Sequence, residues 1–256
     1  MAKSKSSKKE PASPHNSYSQ LIRQTFDFPR LELAEKNGEL YFHGIRLIDL
    51  VKKYGSPLRL SYLPKISEQI ESAVSLFNSQ IKKQKYSGRY HYCFSTKSSQ
   101  FKFVIDEVFN NEVNIETSSE FDFDIIDKLI EEKKINKKTY IIANGFKQPG
   151  YLKRIVDLNA KGFSKTICIL DNREELEQLK KLNNTPLKLG IRLAIAEHPT
   201  SDIYMSRHGM KTTEVVEFYK QKIEADKNLD LRMVSFYIEN GMSDTAYYWS
   251  ELERHV

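Results

Sequence analysis

Cysteine is scarce in this 256-residue sequence: there are two, Cys93 and Cys168, each inside an apolar β-like run. That excludes a disulfide framework and fits buried thiols in a reducing cytoplasm. Long apolar runs are missing too. None approaches the ~20 residues that a membrane-spanning helix needs, and the basic, Ser-rich N-terminus leads into no apolar stretch of the kind a secretory signal requires. Glycine occurs ten times but never as a Gly-rich run, and neither a Walker-type loop nor a Gly-x-Ser-x-Gly elbow is present. His91, His198 and His208 lack metal-ligand spacing, which argues against a metal site. Concentrated basic charge is also lacking. Residues 1–16 set Lys3, Lys5, Lys8 and Lys9 against Glu10, half of the net +6; elsewhere acidic and basic side chains are mixed. Without a basic stripe interleaved with aromatics, no nucleic-acid partner is expected. Residues 1–17 read as a solvated, disordered tail.

What is present is enough for a core, with 39% hydrophobic residues. Leu31–Phe42 reads as a β-hairpin turning at Asn37-Gly38. A short helix over Ile48–Tyr54 stops at Gly55, and Leu58–Leu63 reads as a strand. Ile66–Gln84 is amphipathic, with Ile66, Ile70, Ala73, Val74 and Phe77 on one stripe. A regular pattern follows. Strands start near Tyr90, Asn114, Thr139, Thr166, Leu187 and Leu231, alternating with helices over Phe101–Phe109, Ser119–Ile130, Tyr151–Leu158, Arg173–Leu182 and Thr213–Ile223. A last helix covers Thr245–Arg254. Such alternation implies βαβ units and a parallel sheet.

The strand ends choose between a doubly wound sheet and a barrel. Each apolar run gives way to polar, chemically useful residues: Ser95-Thr96-Lys97, Glu116-Thr117-Ser118, Asn144-Gly145, Asp171-Asn172, Arg192, and Glu239-Asn240-Gly241. A βα-barrel gathers all its strand ends at one mouth, whereas a doubly wound sheet uses only those at its switch point. The α/β fold expected is therefore a partial (β/α)8 TIM-like barrel over residues 65–256. Residues 18–64 precede it as an N-terminal β segment. About six βα units are visible where a closed barrel needs roughly eight, so the chain reads as a piece lacking two units after Val256.

Lys97 is the central candidate, because a lysine at a barrel strand end can be tuned into a Schiff-base nucleophile. By position alone, a surface lysine opening a loop explains it as well. The surrounding residues add more. Tyr54-Gly55-Ser56-Pro57-Leu58, the run Tyr90-His91-Tyr92-Cys93-Phe94-Ser95-Thr96-Lys97-Ser98-Ser99, Asn114 to Phe121, Ile141 to Lys147, and Gly190-Ile191-Arg192 resemble, in order, segments of the alanine-racemase-fold (type III) pyridoxal-phosphate decarboxylases. The third-strand motif is similar to that of the biosynthetic arginine decarboxylases.

The resemblance implies a cofactor, pyridoxal 5'-phosphate, carried on Lys97, with Glu116 an acidic residue near it and Arg192 on the cofactor's side of the barrel. It also implies that residues 18–64 belong to a second β domain, and it implies a dimer with composite active sites and a small amino-acid substrate, arginine converted to agmatine in polyamine biosynthesis. Where the family has a His-Val-Gly-Ser-like segment with its histidine against the cofactor ring, this chain reads Phe236-Tyr237-Ile238-Glu239-Asn240-Gly241. Tyr237 either stacks in that place or is a core tyrosine. Arg207-His208-Gly209 replaces a Lys-Phe-Gly-like turn, and His208 reads as a loop residue rather than an acid-base group. No Glu-Pro-Gly motif occurs; that motif and the phosphate cradle are expected after Val256. The alternative function is a catalytically inactive partner or regulator of an active paralogue; a pyridoxal-phosphate carrier without turnover uses a similar barrel but lacks the hairpin and β-domain entry seen at 31–63. The abundant aromatics, including Tyr247-Tyr248-Trp249, read as helix-packing residues.

Overall fold

A computed structural model describes residues 32–182, 185–194 and 208–237, with Ala246, Trp249, Ser250 and Glu253. The Arg207 position, His198, Ile238 to Gly241, Tyr247, Tyr248 and the N-terminal tail lie outside the described residues. The chain divides into two units, Met1–Ser61 and Tyr62–Val256.

In the first unit, β1 (Leu33–Lys36), β2 (Glu39–Phe42) and β3 (Ile45–Arg46) form a three-stranded antiparallel sheet. Lys36 pairs with Glu39, leaving Asn37-Gly38 as a two-residue turn with φ of 55° and 77°. Positive φ at both positions is what a type I′ turn demands, and Asn-Gly tolerates it best. The α-helix α1 (Leu47–Tyr54) ends at Gly55, φ 86°, whose N–H closes on the Val51 carbonyl. Arg46 fixes the helix start through Asp49 at 2.7 Å and Glu39 at 3.0 Å. The strand expected at 58–63 does not form: residues 58–62 belong to no ladder among the described residues. β-propensity favours an extended backbone but supplies no neighbouring edge to pair with.

In the second unit, α2 (Pro64–Lys83) leads into six parallel strands: β4 (Cys93–Ser95), β5 (Asn114–Thr117), β6 (Ile141–Ala143), β7 (Thr166–Leu170), β8 (Leu187–Arg192) and β9 (Leu229–Ser235). Between them run α3 (Lys102–Val108), α4 (Asp122–Glu131), α5 (Pro149–Ala160), α6 (Arg173–Leu182) and α7 (Thr212–Phe218), the last followed by a π turn, Tyr219–Ile223. Strand order follows chain order without reversal. A doubly wound sheet must reverse at its switch point; a barrel wall does not.

Ile115, Ile141, Ala143, Cys168, Leu170, Leu189 and Ile191 share a core with Phe123, Leu152 and Leu176 from the helices. Ile142, Ile167 and Ile169, with Cys93, Tyr140 and Met233, form a smaller cluster on the opposite face. Burial on both faces explains the unbroken apolar runs of β6 and β7. Each fully buried Ile or Leu contributes roughly 1.5–3 kcal/mol. The amphipathic stripe of α2 delivers Ile70 to the core, with Ile66 and Val74 partly buried against it. Phe77 instead stacks on Tyr90, ring centroids 4.1 Å apart.

Candidate functional site

Successive side chains on a strand alternate faces. Because Ile115, Ile191 and Leu170 face the helices, Glu116, Arg192 and Asp171 project to the inner side. Asn144 continues the parity of Ile142, and Tyr237 that of Met233. The inner face thus ends in a ring of polar and aromatic groups at the carboxyl ends of the strands.

Lys97 sits in a single 3-10 turn, Thr96–Ser98, directly after β4. Thr96 is fully buried and donates its hydroxyl to the Glu116 carbonyl at 3.2 Å, which ties the turn to β5. Ser98 Oγ donates to the Ser95 carbonyl at 2.7 Å. Lys97 itself is exposed, and its Nζ stands 5.2 Å from the centroid of the Tyr237 ring. A cation over an aromatic face is attracted by the ring's quadrupole. Tyr237 is 54% exposed, so it is no core tyrosine.

The contact also reports the shape of the sheet. Lys97 follows the first strand of six and Tyr237 the last. With strands ~4.8 Å apart, a flat sheet would separate β4 from β9 by ~24 Å, so the sheet must curl for these side chains to meet.

Glu116 is oriented by Asn144, whose side-chain amide donates to Oε1 at 3.0 Å. Asn144 is itself fixed: its Oδ1 accepts the Gly145 N–H at 2.8 Å, its N–H reaches the Thr117 carbonyl at 2.9 Å, and its carbonyl accepts from the Tyr151 hydroxyl at 3.0 Å. Burial pushes the Tyr151 phenol far above its usual range. It therefore stays protonated and keeps donating. Arg192 pairs with Asp171, Nη1 to Oδ1, at 3.5 Å. Asp171 Oδ2 lies 3.0 Å from Nδ1 of His208. His208 is a loop residue, as its turn suggested, yet it joins the carboxylate at the end of β7. It is placed there by Gly209, φ 90°, and by the Met210 N–H, which donates to the Arg192 carbonyl at 2.8 Å.

Sequence reasoning singled out Lys97, Glu116, Arg192 and Tyr237 but not Asn144 or Asp171 as their supports. Both lie at strand ends, which was the available signal. The two thiols remain unlinked; burial raises each to about 11, so neither is a ready nucleophile at neutral pH. Among the described residues no group of three or more His, Cys, Asp or Glu side chains could hold a metal ion, and no helix is long and apolar enough to cross a membrane. Trp249 is 59% exposed, against the packing role expected of it.

No protein-family model matches the chain. It is similar to the biosynthetic arginine decarboxylase of Vibrio vulnificus, 22% identical over 254 residues, which spans 85% of this chain and 39% of that protein. Among solved structures it resembles the diaminopimelate decarboxylase of M. jannaschii, with a TM-score of 0.67 at 14% identity over 88% of this chain and 51% of that one. It also resembles the arginine decarboxylase of Paramecium bursaria Chlorella virus, with a TM-score of 0.59 at 17% identity over 82% and 52%. The chain thus spans about two fifths of the curated relative and about half of each solved structure. With its single-wound parallel sheet, it has the βα-barrel fold of these decarboxylases and resembles the biosynthetic arginine decarboxylases in sequence.

Proposed function

We propose that this chain supplies the cofactor-anchoring part of a pyridoxal 5'-phosphate-dependent decarboxylase acting on a basic amino acid, with arginine the first candidate and agmatine the product. The observation that carries the proposal is Lys97 Nζ at the barrel mouth, 5.2 Å from the Tyr237 ring, on the inner face shared with Glu116 and Arg192.

The donor set suits the cofactor. Lys97 offers the amine that binds the cofactor's aldehyde carbon, and the half-exposed ring of Tyr237 offers a flat apolar surface beside that amine. Arg192 offers a cation paired with Asp171 at 3.5 Å, and Glu116 a carboxylate held by Asn144. When bound, the cofactor's pyridine ring serves as the sink for the electron pair left by the departing carboxylate. The chain's own part is to hold the anchoring amine, fix the charges around it and present a pocket for a small substrate. The family resemblance implies a homodimer, and two free thiols agree with a reducing compartment such as the cytoplasm.

The test is covalent. The chain is incubated with pyridoxal 5'-phosphate, reduced with borohydride and mapped by peptide mass spectrometry, and release of carbon dioxide from arginine and from lysine is followed in parallel. Modification at Lys97 that vanishes in Lys97→Ala is expected, with arginine the better substrate. Absence of modification at Lys97 sinks the proposal. A second reading, an inactive partner of an active paralogue, is favoured by Tyr237 standing where the family carries histidine. Modification at Lys97 without any carbon dioxide release would select it.

A further inference from the structure

Beneath the mouth lies a buried charged pair that meets the site residues only through the Asp171 backbone N–H. The side chains of Lys147 and Glu175 are 0% and 2% exposed, with Nζ 3.6 Å from Oε2. Lys147 follows β6 and Glu175 lies in the first turn of α6, so each belongs to a different strand-to-helix connection. The bonds cross between them. Lys147 Nζ donates to the Gly145 carbonyl at 2.6 Å and to the Ile169 carbonyl at the end of β7. Glu175 Oε1 accepts the Lys147 N–H at 2.9 Å, and Oε2 accepts the Asp171 N–H at 2.8 Å.

We propose that Lys147 and Glu175 are a positioning pair that locks the 144–148 and 171–175 connections to each other, and through them orients Glu116 and Arg192. The first connection carries Asn144, which holds Glu116; the second carries Asp171, which holds Arg192 and His208. The buried contact therefore joins the two connections that carry these supports.

Stability alone does not explain such a pair. Two buried charges lose hydration that their attraction barely returns, and well-packed apolar residues often do as well or better. Apolar residues could not reproduce directed bonds to two particular carbonyls and two particular N–H groups. Burial is the largest influence on the Glu175 carboxyl and pushes it up, while Lys147 and the two N–H groups act against that shift.

The functional arm rests on the decarboxylase proposal; the conformational arm does not. Lys147→Met, Glu175→Gln and the double variant are compared with the parent chain by amide hydrogen exchange, melting temperature and borohydride modification of Lys97. The double variant removes the charges together, so it folds even where Lys147→Met leaves a lone buried carboxylate and does not. Expected in the double variant is exchange faster by about tenfold or more at both connections, with the amides of β6 and β7 unchanged. Lys97 modification is expected to fall by about tenfold or more at saturating protein, as misplacement of site groups would cause. Faster exchange in only one connection, or in neither, overturns the locking role. Parent-level modification in a folded double variant overturns the positioning role. If the parent chain itself takes no cofactor, the decarboxylase proposal fails, and the exchange pattern still decides the pair.

Discussion

At the scale of single residues, the buried carboxylate of Glu175 sets a pH dependence whose sign can be worked out. Burial is the largest influence on it and pushes its pKa above the ordinary 4.5; Lys147 opposes that shift. A carboxyl with a raised pKa in the folded state gives up its proton more readily when unfolded. Its contribution to stability is therefore complete below the unfolded pKa and shrinks as pH rises through the folded value. Lys147→Met removes the opposing cation and should deepen that loss. Its melting temperature, measured against the parent at several pH values, should fall progressively further behind as pH rises from about 4 to 7. At neutral pH the deficit should reach about 3 kcal/mol or more, the usual consequence of stranding one partner of a buried pair. Adding Glu175→Gln should remove the pH dependence of the deficit. A deficit that does not change with pH would mean that Glu175 is not the titrating group. None of this was visible from sequence: a lysine four residues past a strand and a glutamate in Glu174-Glu175 look like solvated charges. Only the packing of two connections shows otherwise.

At the scale of elements, local signals were legible wherever the backbone itself carries them. The Asn37-Gly38 turn, the stop at Gly55 and the boundaries of α6 were read correctly because φ preference and apolar period act within a few residues. The strand at 58–63 and the start of β4 were not. Tyr90 to Tyr92 look like a strand, but the ladder begins at Cys93, opposite Asn114, and Tyr90 stacks on Phe77 instead. Ladders depend on a neighbour that a local window does not contain. The same limit hid Asn144 and Asp171 as site supports, since the latter meets His208 across 37 residues of chain. The connections themselves are tightly fitted. Gly145 has φ of 80°, and a Cβ there would lie 2.5 Å from the Ser118 carbonyl oxygen in the connection after β5. That oxygen is backbone, and Ser118 is fixed by its N–H, which donates to Asp122 at 2.7 Å. Gly145→Ala therefore meets both an unfavourable φ and a clash that no rotamer relieves. A loss of ~1–3 kcal/mol in denaturant unfolding is expected, with weaker cofactor modification of Lys97. A variant as stable as the parent would show that the two connections do not press together.

At the scale of the whole second unit, the sequence pattern of helices and strand-end polar residues pointed to a barrel, yet it could not show curvature. That evidence comes from one long-range contact, Lys97 with Tyr237. The six strands carry their inner-face residues toward one another only if the twist of each strand pair accumulates into a curl. Glu116, Arg192 and Tyr237 can then share one mouth although the first two sit on the second and fifth strands and Tyr237 just past the sixth. The curl can be tested without cofactor or substrate. Cysteines introduced as Lys97→Cys and Tyr237→Cys, with Cys93→Ser to limit background, should be joined by a short bis-maleimide whose reach is well under the ~24 Å that a flat six-stranded sheet would impose. Peptide mapping should find the 97–237 link in folded protein and lose it in denaturant. If the folded chain resists linking while both thiols react singly, the sheet is open, and Lys97 and Tyr237 do not belong to one site.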